Sequence, residues 1–156
     1  MQMPNPTSLA IAPLQRARGR ADVAFGLRRG ASRLERLFQQ GCAKALRPRG
    51  GGGAAPEVVL VNTSGGIAGG DRLEWRLEAG AGAALLASTQ AAGRVYRSTG
   101  DAARVETRLA LGPGATLEWL PQETILFDGA RLDRRLDVEM AADARLTLLE
   151  TVVLGR

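Results

Sequence analysis

The 156-residue chain contains no histidine. Ser–His–Asp and Cys–His catalysis are therefore excluded within it, because both use an imidazole to move the proton. Histidine-based zinc and nickel centres are excluded as well. Any metal held here must rely on carboxylates, backbone carbonyls, the single cysteine Cys42 or another chain. One cysteine cannot form an intrachain disulfide. Aromatic residues are 4% of the chain and hydrophobic residues 45%, so a core must be built from Ala, Leu and Val. No apolar run reaches the roughly 18 residues that a membrane-crossing helix needs. The opening MQMPNPTSLAIAPLQRARGR lacks a charged stretch followed by a long apolar one, so no secretory signal is expected. Together these absences lead us to expect a cytoplasmic protein without a tightly bound cofactor.

What is present is unevenly placed. Residues 1–50 hold ten Arg and Lys against two acids, whereas the rest holds eleven against fourteen. A basic arm on a mildly acidic body fits a polyanion- or nucleic-acid-binding module using residues 16–49. A solvated or partner-facing segment is the favoured reading. No aromatic residues interleave with the arginines as single-strand binding requires, so no nucleic-acid partner is expected.

The chain's length suits one domain or a large piece of one. Residues 1–15, with Pro4, Pro6 and Pro13, read as a flexible N-terminus. Residues 16–156 read as a single β-rich domain. Within it, Leu34, Leu37 and Phe38 are spaced like one helix face, although Gly41 interrupts. Arg49–Ala55 (RGGGGAA) reads as a flexible loop. Glu57–Asn62 is a β-branched run expected to form a buried strand. Asp71–Glu78 alternates at Leu73, Trp75 and Leu77, and Arg104–Leu111 does so at Val105, Thr107, Leu109 and Leu111. Both read as half-buried strands.

A weak internal repeat runs through this region. Leu77–Leu85 aligns with Leu109–Leu117 and with Val138–Leu146. Each unit is a strand end, a turn, an alanine (Ala83, Ala115, Ala144) and a new strand. Gly82, Gly114 and Asp143 are expected to supply a positive φ at the turns. Spacing near 30 residues predicts stacked sheet layers. The expected fold is all-β with few short helices, solenoid- or β-helix-like. Leu146–Arg156 is an apolar strand-like run without a terminating cap, which suggests truncation and unpaired edges.

Three segments are candidates for chemistry. Asn62–Asp71 (NTSGGIAGGD) places two Gly-Gly pairs (Gly65, Gly66, Gly69, Gly70) between strands and ends on an acid. A phosphate loop fails, since no Lys-Ser/Thr follows and no helix supplies a dipole; a tight β-connection remains. Ser88–Ser98 leads to Tyr96 and Arg97, residue types favoured at interfaces, although an amphipathic strand or turn explains them too. Leu117–Ala130 (LEWLPQETILFDGA) carries Trp119, Gln122, Glu118, Glu123 and Asp128, with Pro121 marking a sheet edge or a bulge. Its acids could serve acid–base hydrolysis, bind a hard cation, or form a solvated face.

The order and wording of these segments resemble the urease accessory protein family UreD, also called UreH. The matching elements are Ser64–Asp71, Thr89–Ser98, Leu117–Gly129 and Leu154–Arg156, with Arg33–Arg49 similar to the family's early segment. Within the second element, Gly93 and Arg94 stand where many relatives have Ser or Lys-type residues. The family continues well past the last element, so the resemblance implies that this is its N-terminal portion. It also implies a cytoplasmic, β-rich, non-catalytic scaffold that binds apo-urease, joins UreF and the GTPase UreG, and helps deliver nickel through an internal channel. By the same resemblance Asp71, and then Glu118 and Glu123, become candidates to touch nickel in transit. The four glycines, Tyr96, Arg97, Trp119, Pro121 and Gln122 become candidate binding residues. Oxygen donors suit release better than imidazole or thiolate would.

Overall fold

A computed structural model describes residues 15–48 and 55–155. Residues 1–14 of the expected flexible N-terminus and 49–54 of the glycine loop lie outside the described residues. Thirteen strands follow one another: β1 Arg18–Arg28, β2 Ala31–Gly41, β3 Ala43–Leu46, β4 Glu57–Asn62, β5 Arg72–Ala79, β6 Ala84–Thr89 and β7 Gly93–Val95, then β8 Ala103–Leu111, β9 Thr116–Leu120, β10 Thr124–Leu126, β11 Leu132–Met140, β12 Arg145–Leu148 and β13 Val152–Leu154. No helix occurs among the described residues, so the short helices expected from sequence are absent there. None is therefore long and apolar enough to cross a membrane.

The strands coil into three layers. One sheet runs β11-β8-β5-β1-β2, a second β12-β9-β6-β4-β3 and a third β13-β10-β7. β5–β6–β7, β8–β9–β10 and β11–β12–β13 each contribute one strand to every layer, and these successive turns pair in parallel. The β1–β2 hairpin extends the first sheet, with β1 parallel to β5 and β2 antiparallel to β1. The architecture is the stacked-layer solenoid expected from the repeat.

The repeat alignment is also the pairing register. Leu77 pairs with Leu109, which pairs with Val138. Leu85 pairs with Leu117, which pairs with Leu146. Between them the turns stack. Ala83 N–H donates to the Gly80 carbonyl at 2.9 Å, Ala115 to Gly112 at 3.1 Å and Ala144 to Ala141 at 3.1 Å. All three alanines are buried, because the coil leaves no room at these corners for a larger side chain. Gly82 and Gly114 take φ of +66° and +64°. Asp143 does not adopt a positive φ, so that part of the turn expectation holds only for the glycines.

The helical spacing of Leu34, Leu37 and Phe38 belongs to β2, not to a helix. A bulge there pairs Ala24 with Arg36 and Phe25 with Leu34, skipping Glu35. The extra residue puts Leu34 and Leu37 opposite the inward-facing Phe25 and Val23. Nor is 16–49 a free basic arm: within its described part Arg20, Arg28 and Arg36 pair with Asp22, Glu35 and Glu78. β4 buries Val58 and Leu60 while its alternate residues are only half-buried. Pro121 follows β9 at the corner into β10, so it marks a corner and not an edge or a bulge.

Candidate functional site

The glycine-rich loop and the Tyr96–Ser98 segment form one contact. Ile67 N–H donates to the Arg94 carbonyl at 2.8 Å, and Tyr96 N–H returns to the Ile67 carbonyl at 2.9 Å. A Cβ on Gly66 would fall inside the Tyr96 ring, and one on Gly69 would collide with Ser98 Oγ. These two glycines let the loop lie flat against the next turn of the coil. Tyr96 stacks in turn on Phe127 from the following turn, with centroids 5.7 Å apart and planes 11° apart. Beyond that pair Arg97 is ion-paired with Asp128, both exposed.

Asp71 closes the loop. Its Oδ1 accepts from Ala17 N–H and its Oδ2 from Ala68 N–H, both at 2.8 Å. The side chain is buried, and both oxygens are engaged in tying the entry of β1 to the loop. Glu118 points outward from β9 between the buried Leu117 and Trp119. Glu123 is half-buried at the corner before β10. Among the described residues no three His, Cys, Asp or Glu side chains gather as a metal-holding group. Burial pushes the Cys42 thiol above its ordinary pKa, and the Asp71 charge adds to this. Cys42 is therefore a neutral thiol near neutral pH.

A cavity of about 310 Å³ lies inside the coil, bounded by all three layers. Its origin is a change in one inward row. The row Val23–Leu77–Leu109–Val138 is aliphatic throughout. The row one inward step earlier is Ala21–Trp75–Thr107–Leu136. Thr107 is fully buried but shorter than a leucine, and Gly93 faces it from the third layer without a side chain. Volume left unfilled in an otherwise close-packed interior becomes a cavity. Of the candidate binding residues, Gly65, Gly66, Trp119, Pro121 and Gln122 line it. Asp71, Glu118, Glu123, Gly69, Gly70, Tyr96 and Arg97 do not.

Sequence reasoning missed the polar end of this cavity. Arg134 donates to Thr124 Oγ1 at 2.9 Å and pairs with Glu150 at 2.6 Å. Trp119 Nε1 lies 3.4 Å from the same Glu150 oxygen. Arg134 carries its charge in the cavity wall, matched by Glu150. An arginine at an inward position of an alternating strand was the available signal. It follows from placing Arg134 in register with the inward Leu73 and Val105.

Fold and cavity together define a β-solenoid with a cavity that opens to solvent between its layers. A family profile described as UreD urease accessory protein matches residues 17–156. The chain belongs to that family. It is 56% identical over 145 residues to the urease accessory protein UreD of Chelativorans sp. (strain BNC1), covering 93% of this chain and 52% of the relative. It is 56% identical over 142 residues to the protein of that name from Jannaschia sp. (strain CCS1), covering 91% and 51%. The Agrobacterium fabrum UreD is 48% identical over 142 residues, covering 91% and 50%. The chain thus spans about half the length of the curated relatives it matches.

Proposed function

We propose that this protein serves urease maturation as a non-catalytic cytoplasmic scaffold, holding apo-urease together with UreF and the GTPase UreG while nickel passes through the coil. The supporting observation is the cavity beside Thr107, whose largely apolar wall is interrupted by hydroxyl, amide and backbone groups and by Arg94 and Arg134, with no carboxylate among its lining residues. Such donors hold a nickel ion loosely, whereas imidazole or thiolate would retain it. Nickel is cargo here, and Arg134 does not repel it outright, because Glu150 neutralises the guanidinium.

Gly93→Leu in the full-length protein tests this reading. A Cβ at Gly93 meets only Thr124 Oγ1 at 3.7 Å and the Glu123 carbonyl at 3.9 Å, so the backbone accepts it. The longer side chain then fills part of the cavity. Co-expressed with the urease genes, the variant should still co-purify with urease apoprotein and UreF. Nickel per urease active site, measured by mass spectrometry, should fall severalfold. Unchanged nickel loading would reject the conduit. Failure of the wild-type protein to pull down either partner would reject the scaffold.

A further inference from the structure

The outward face of the five-stranded sheet is a grid of charges, and one row of that grid differs from the rest. Parallel pairing sets like residues side by side on β1, β5, β8 and β11. Within the grid nearly every arginine has an acid against it. Arg20 pairs with Asp22, Arg36 with Glu78 at 2.8 Å, Arg76 with Glu74 at 3.6 Å, Arg108 with Glu106 at 3.4 Å and Arg135 with Asp137 at 2.8 Å. The first row reads Arg18–Arg72–Arg104–Asp133. Arg18 and Arg72 have no acid within 4 Å among the described residues, and Arg104 reaches only Asp133, at 3.8 Å with both side chains more than half exposed. Three exposed guanidinium groups therefore stand abreast on neighbouring strands, about 4.8 Å apart. Like charges directly opposite one another destabilise a sheet. The two rows beside it, Arg20–Glu74–Glu106–Arg135 and Asp22–Arg76–Arg108–Asp137, hold equal numbers of both signs, and this one does not.

We propose that the Arg18–Arg72–Arg104 row is a docking site for an acidic peptide segment of a partner protein. Each guanidinium offers a planar pair of N–H donors that matches a carboxylate. Set abreast at strand spacing, the three present matching donors to successive carboxylates of one extended or helical segment. The site is local: the adjoining rows are neutralised, so there is no broad positive field of the kind nucleic acid needs. No exposed aromatic side chain occurs in the row to stack a base. The row lies on the outside of the coil and the cavity on its inside, so this inference stands apart from the conduit.

The test uses the full-length protein and a fluorescein-labelled hexaglutamate peptide, read by anisotropy. The wild-type protein should bind it, and binding should weaken steeply with added salt because exposed charges are screened. The triple variant Arg18→Gln/Arg72→Gln/Arg104→Gln should lose at least about tenfold in affinity. Relief of like-charge contact should also raise its melting temperature at low salt, by about 1–3 °C. The control Arg76→Gln/Arg108→Gln removes two arginines from a balanced row and should leave affinity within about twofold. Equal binding by the triple variant and wild type would overturn the proposal, as would an equal loss in the control. A single-stranded oligonucleotide of matched charge that bound more tightly than the peptide would overturn the choice of partner.

Discussion

At the residue scale, Asp22 is the acid that does most for the first sheet. It is buried on β1 and accepts from Arg20 Nε at 2.9 Å. That hydrogen-bonded pairing holds its carboxyl below the ordinary 3.8, outweighing burial. A folded-state pKa below the unfolded one gives stability that is present above pH 3.8 and lost as pH falls through the folded value. Asp22→Asn should therefore destabilise the protein by about 1–2 kcal/mol near neutral pH, the lower range for a charged hydrogen bond whose arginine is a third exposed. Urea denaturation at about pH 7 and about pH 3 checks this, since the gap between variant and wild type should narrow in acid. Gly66 gives a second test at this scale. Gly66→Ala should cost about 1–3 kcal/mol by overpacking against Tyr96. In a Tyr96→Ala background the same change should cost much less, and additive losses would show that the ring is not what Gly66 accommodates.

At the element scale, the turns carry the stacking. Ala115 sits in the middle turn with no exposed surface, and Ala144 in the outer turn is 9% exposed. Ala115→Leu should destabilise by about 1–3 kcal/mol, and Ala144→Leu by less where that turn is as exposed as here, because a larger side chain overpacks the enclosed corner. Chemical denaturation of the two variants decides it. This is also the level at which the sequence was most readable. Aligning Leu77, Leu109 and Val138 by their following Gly-or-Asp turns amounts to stating which residues pair, since parallel coils repeat their register turn by turn. The β2 strand was unreadable for an opposite reason. One bulged residue at Glu35 turned a two-residue period into a three-residue one, which imitates a helix. The site was legible in part. Gly65, Gly66, Trp119, Pro121 and Gln122 reach the cavity because the motif segments occupy its corners. Asp71 looked available only because its two backbone partners, Ala17 and Ala68, cannot be foreseen from spacing.

At the scale of the whole molecule, the ligand chemistry bears on how nickel is handled. The chain carries a net charge of +5 and no histidine. Its described acids are dispersed in ion pairs, on the outer sheet face or in backbone hydrogen bonds, and none of them lines the cavity. A divalent cation therefore finds only weak oxygen donors inside the coil. Ligand binding to the folded state alone raises stability by about 2.7 kcal/mol when the ligand is a hundredfold above its Kd. For a protein near this size that is a rise of about 5–10 °C in melting temperature. An untagged protein with a micromolar nickel site would show such a shift at about 100 µM nickel. We expect a shift below about 1 °C under those conditions, with equilibrium dialysis giving no tightly bound nickel. A shift of several degrees, reversed by a chelator, would mean that the protein stores the ion, and passage through an oxygen-lined coil would no longer describe how it handles nickel.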